Sequence, residues 1–108
     1  MGAQVVGALP KAGGQNAGQM LAGGLKAVVL LNTEPAFDAA NGVAAAHAIG
    51  QAEMVVTLSP FKANMDISDV LLPISPFTET AGTFINTEGR VQSFHGVVKP
   101  LGLSLIHI

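Results

Sequence analysis

The sequence predicts an α/β fold: a partial doubly wound, mostly parallel sheet of three strands with one main helix, followed by a β-hairpin. Three observations carry this. Lys26–Leu31, Met54–Leu58 and Val70–Leu72 are short, continuous apolar runs rather than alternating ones, the pattern of strands buried on both faces. An alanine-rich helical segment separates the first two, giving the strand–helix–strand order of a parallel unit. Thr83–Ile85 and Val91–Phe94 then flank Asn86-Thr-Glu-Gly89, with Asn and Gly where a type I turn prefers them and Gly placed to close a bulged hairpin.

Residues 1–24 form a Gly/Ala-rich lead-in. Asn16 is placed to cap a short helix ending near Ala22, with Gly23 as its stop. The glycines at 13, 14 and 18 suggest a phosphate cradle only superficially, since the run lacks the Lys-Ser/Thr ending and does not follow a strand. The first strand ends at Asn32-Thr-Glu-Pro35. Pro35 fits the first turn of a short helix, and Asn41 caps a second one running to about Gln51. Phe37, Ala40, Ala44, Ala48 and Ile49 are expected near one face. Ser59-Pro60 stops the second strand, and Asp66–Ser68 reads as a helical turn before the third. Residues 25–102 thus form a partial α/β domain.

With 108 residues, the chain is one modest domain or a piece of a larger body. Charged residues make up 11%, against roughly 25% in ordinary domains. Apolar residues make up 49%, so the chain has little charge with which to cover its own surface, and it reads as an internal slab. The net charge of −2 and the scattered Lys11, Lys26, Lys62, Arg90 and Lys99 leave no footprint for nucleic acid. No apolar run reaches the ~20 residues of a membrane span, and no secretory signal is visible. The absence of cysteine excludes disulfides and Cys-held iron–sulfur clusters on these residues.

Catalytic constellations are sparse. His47 has no second ligand at a metal-site spacing, so it reads as a partly buried, hydrogen-bonded histidine, and His95 reads as a surface residue. Ser59, Ser75 and Ser93 lie in no nucleophile elbow. Met20, Met54 and Met65 read as core fillers. Glu79 and Glu88 suggest an acid/base pair, but Glu88 occupies the turn itself, where a carboxylate is ordinarily solvated. Arg90 is suited to grip a phosphate, yet its simpler role is an ion pair with Glu79 or Asp69 that ties loop to hairpin.

The stretch Asp69–Phe94, DVLLPISPFTETAGTFINTEGRVQSF, resembles a signature of the molybdopterin-oxidoreductase superfamily. With VVLLNTEP at 28–35 and QAEMVVTLSPF at 51–61, it looks most like one branch, the G subunits of the bacterial NADH-quinone oxidoreductases, respiratory complex I. Ser68 departs from the pattern, which usually has Ala before the Asp. The likeness spans about Val5–Gly102. It implies a piece of the C-terminal part of that subunit, a scaffold of the peripheral arm without catalytic residues of its own. That arm would lie on the cytoplasmic side of the bacterial inner membrane. It also implies that the [2Fe-2S] and [4Fe-4S] clusters sit in a preceding, cysteine-bearing part. Partners would be other peripheral-arm subunits and the rest of the same chain, with no nucleic acid and no direct membrane insertion. The whole enzyme would pass electrons from NADH to a quinone and couple this to proton translocation.

Two other readings stand beside it. A catalytic molybdopterin enzyme, such as a formate dehydrogenase, would turn the carboxyl-end loops Asn32–Pro35, Ser59–Lys62 and Pro73–Thr80 toward a pterin nucleotide. Asn32, Glu79, Asn86 and Arg90 would then be the cofactor-binding residues; under the complex I resemblance no cofactor-binding or metal residues are expected. A free-standing nucleotide-binding α/β module is disfavoured by the missing phosphate-loop fingerprint. Residues 103–108, LSLIHI, break the pattern and match the translated end of a common sequencing adapter, so they read as a scar outside the fold.

Overall fold

The structure, a computed structural model, describes residues 2–100. Its centre is a three-stranded parallel sheet in the order β1–β2–β3, with β1 at Ala27–Leu31, β2 at Met54–Ser59 and β3 at Val70–Pro73. Val28 lies opposite Val55, Leu30 opposite Thr57, and Leu71 opposite Thr57 across the other side. The entrance of β2 is held by Asp69, whose carboxylate accepts the Val55 amide at 2.7 Å while its own amide donates to the Val55 carbonyl at 2.9 Å. The two remaining strands, β4 at Gly82–Ile85 and β5 at Val91–Phe94, pair antiparallel as the expected hairpin.

Four short helices precede β2. α1 (Gly2–Val5) stands where the sequence pattern announces no helix. α2 (Ala17–Met20) starts in a capping box in which the Asn16 and Gln19 side chains each accept the other residue's amide at 2.9 Å. Gly23 follows with φ +107°, the left-handed stop that glycine supplies cheaply. α3 (Pro35–Asp38) and α4 (Gly42–Gly50) are two pieces because the chain turns extended at Ala39. Gly42 sits so close to the Ala36 carbonyl that a Cβ there would overlap it. Asn41 caps α4 by accepting the Ala44 amide.

That break corrects the expected helix face. Ala45 and Ile49, four residues apart, are the buried pair; Phe37 belongs to α3 and is 80% exposed, and Ala40 and Ala44 are exposed. In an alanine-rich helix the side chains differ too little to mark the inward face. His47 is likewise exposed rather than partly buried. Met20, Met54 and Met65 are all exposed and do not fill the core.

The core is small. Leu30, Ile49 and Val55 form it, with Leu21, Val28, Ala52 and Ile67 packed alongside. All of its strand residues point to one sheet face, the face that carries α4 and the 3₁₀ turn Met65–Ile67. The opposite face carries Val29, 68% exposed, and Leu31, 60% exposed. The radius of gyration is 15.5 Å, well above the ~13 Å of a closed globule of this length, as expected of one layer of helix on one side of a sheet.

Candidate functional site

The carboxyl ends of the parallel strands are where ligands enter doubly wound folds, and the three loops there are built by different means. Asn32, at the end of β1, has φ +50°, a left-handed conformation that asparagine tolerates better than most residues. Its amide still donates to the Leu58 carbonyl at 2.8 Å, so the turn begins in register with β2. At the end of β2 the Ser59 hydroxyl accepts the Phe61 amide at 3.0 Å. After β3, the turn Phe77–Glu79 is fastened from the far side of the hairpin, where Val97 donates to the Thr78 carbonyl at 2.8 Å. Gly96 allows this approach, since a Cβ there would lie 2.7 Å from the Glu79 carbonyl oxygen.

Beneath these loops runs a buried polar chain that the sequence reading missed. Asn64, 5% exposed, donates its amide to the Thr33 carbonyl at 2.7 Å and so ties the first loop to the second. The Ser68 hydroxyl donates to the Asn64 carbonyl at 2.7 Å and meets the Thr57 hydroxyl at 2.6 Å. Ser68 has one hydrogen to give, so Thr57 is the donor between the two hydroxyls. Thr57 is fully buried at 0% exposure, and every buried side-chain polar atom among the described residues has a partner. Ser68 is the position where the family pattern has Ala. Its departure, together with a threonine inside an apolar strand, was the available signal for this network.

The named site residues are not assembled into one constellation. Asn32 closes β1, and Glu79 is half-buried at the end of its turn. Asn86 spends its side-chain oxygen locally, accepting the amides of Glu88 at 3.0 Å and Arg90 at 2.9 Å. Arg90 is exposed, and among the described residues no hydrogen bond joins its guanidinium to Glu79 or Asp69. The expected ion pair is therefore replaced by two backbone devices: Asp69 clamps β2, and Asn86 closes the hairpin turn. Gly89 has φ +80°, as the turn reading requires. The hairpin packs chiefly on itself, with the Phe84 and Phe94 rings stacked at 5.3 Å and Phe94 lying over Gly82. Among the described residues, no three His, Cys, Asp or Glu side chains gather as a metal site, and no helix is long and apolar enough to cross a membrane.

A parallel sheet ending in Asn-Thr-Glu-Pro, followed by this clamp and hairpin, is what residues 1–104 share with the family of molybdopterin oxidoreductases, whose profile matches them. The chain belongs to the molybdopterin oxidoreductase family. Within it, the chain is similar to the G subunit of the NADH-quinone oxidoreductase of Streptomyces coelicolor, at 33% identity over 85% of this chain and 11% of that protein. It is also similar to the mitochondrial 78 kDa subunit of NADH-ubiquinone oxidoreductase of Candida albicans, at 49% identity over 34% of this chain and 5% of that protein. A Staphylococcus aureus protein assigned by name to the formate dehydrogenases is 54% identical over 34% of this chain and 4% of its own length. The chain thus spans a small part of each relative. For this molybdopterin-oxidoreductase chain, the residues at the loop edge do not fit a pterin nucleotide as a set. The Asn86 side-chain oxygen is committed to the turn, and Asn32, Glu79 and Arg90 share no hydrogen bond among the described residues.

Proposed function

We propose that this chain is a structural part of the G subunit of an NADH-quinone oxidoreductase, a scaffold of the peripheral arm. The observation that carries it is the likeness to the Streptomyces protein along 85% of the chain. The geometry agrees: the polar groups at the loop edge bind one another and the backbone, leaving a rigid edge rather than a set of free functional groups. In this reading residues 1–24 lead in, residues 25–102 are the α/β part, and residues 103–108 are an adapter scar that lies outside the described residues. The iron–sulfur clusters belong to a cysteine-bearing part of the longer polypeptide. The whole complex moves electrons from NADH to a quinone at the cytoplasmic side of the inner membrane, coupled to proton translocation. This part supplies packing surface to the rest of its own chain and to neighbouring subunits.

The test is to delete residues 25–102 from the full-length protein and follow arm assembly and NADH-to-quinone electron transfer. Loss of both, with the cysteine motifs intact, is expected. An assembled, active complex would overturn the scaffold role.

The high local identity to the formate dehydrogenase relative favours one alternative, a catalytic molybdopterin enzyme. In that reading Asn32, Glu79, Asn86 and Arg90 face a pterin nucleotide, and Asn86 must give up its turn contacts to do so. Molybdenum and pterin analysis of the full-length protein separates the two: stoichiometric cofactor supports the enzyme, and its absence together with iron and sulfide supports the scaffold.

A further inference from the structure

Both connections of the parallel sheet lie on the same face. The β1-to-β2 connection places Ile49 over Leu30 and Val55, and the β2-to-β3 connection adds Ile67 to that cluster. This follows from direction. Going from β1 to β2 to β3 is one-way travel across the sheet, and right-handed crossovers made in one direction all fall on one side. The other side is bare, with Val29 and Leu31 exposed on β1, Met54 on β2 and Val70 on β3. A right-handed crossover reaches that side only when the chain travels the opposite way, which means beyond β1.

The β1 edge is built to be passed. Its even-numbered residues serve β2, as the Lys26 carbonyl accepting from Met54 and the Asn32 amide donating to Leu58 show. By alternation the N–H and C=O groups of Ala27, Val29 and Leu31 point away from the sheet. An apolar hollow of about 290 Å³ runs beside this edge, lined by Met20, Leu21, Leu25 and Pro35 among others. β3, by contrast, is four residues long, a length suited to a true edge.

We propose that the sheet continues past β1: another segment of the same longer polypeptide adds a parallel strand to that edge, and its crossover helix covers Val29, Leu31, Met54 and Val56. The occupant is the chain's own continuation because nearly all of the Streptomyces relative's length, of which this chain spans 11%, lies outside the residues present here. The proposal rests on the reading that the chain is part of such a polypeptide.

The test uses the full-length protein. Val29→Cys is compared with Phe37→Cys, an exposed control on α3, by maleimide labelling read peptide by peptide in a mass spectrometer. Amide hydrogen exchange of the unsubstituted protein at Val29 and Leu31 is measured separately, so the result does not depend on the variant folding. The expected result is labelling at Val29→Cys slower than at Phe37→Cys by on the order of tenfold or more, with slow exchange at both β1 amides. Equal labelling rates with fast exchange would overturn the proposal. Cross-linking of two copies through Val29→Cys would also overturn it, because the occupant would then be a second copy of the chain. A compact, cooperative monomer of residues 1–102 alone would instead refute the longer-chain reading, so the two failures are distinguishable.

Discussion

Replacing Ser68 with alanine, the residue the family pattern favours there, should destabilise this protein. In the structure Thr57 is fully buried and gives its hydroxyl hydrogen to Ser68, which passes its own to the Asn64 carbonyl. Ser68→Ala leaves the Thr57 hydroxyl without that acceptor, and an orphaned buried hydroxyl costs about 1–3 kcal/mol. Thr57→Val removes the donor but leaves the half-buried Ser68 bonded to Asn64, so its cost is nearer ~1 kcal/mol. The double variant removes both polar groups and substitutes methyls of similar shape. It should be less destabilised than the sum of the single variants, with a coupling of about 1 kcal/mol or more. The assay is native-state hydrogen exchange of the β2 amides in the full-length protein, which reads the opening of this unit without requiring the whole protein to unfold in two states. Ser68→Ala alone should speed that exchange roughly 5- to 150-fold, and the double variant should recover part of the loss. Strict additivity of the two single effects would refute the hydrogen-bonded chain as drawn.

Other outcomes follow from single positions. Gly89→Val forces a β-branched residue into φ +80° and should cost the hairpin roughly 2 kcal/mol or more, seen as faster exchange of the Asn86 amide; unchanged exchange would count against the turn. Gly42→Ala places a Cβ on the Ala36 carbonyl, so the α3–α4 junction must shift; loss of protection in α4 is expected, and a neutral result would mean the two helices are not so closely joined. Residues 1–102 expressed alone should associate and bind hydrophobic dyes, because one sheet face and the β1 edge lie open; sedimentation showing a monomer with a sharp thermal transition would refute this.

Much of the fold was legible because backbone chemistry acts locally. Continuous apolar runs marked the three parallel strands, Asn16 and Asn41 marked helix starts, and Gly89 marked the turn, each through a preference that needs no distant partner. The family was legible in the residues from Asp69 to Phe94. Tertiary structure decided what no local rule reaches. Which face of an alanine-rich helix turns inward depended on the break at Ala39–Asn41 and on where Leu30 and Val55 stood, so Ala45 was selected and Phe37 left outside. Whether Asp69 would pair with Arg90 or clamp a strand depended on β3 lying beside β2, which brings its carboxylate to the Val55 amide. The Thr57–Ser68–Asn64 chain joins residues that carry no signal separately and become a unit only when the β2-to-β3 connection folds over the sheet. Sequence specifies backbone preference residue by residue; the pairing of polar groups far apart in the chain is decided by which elements the packing brings together.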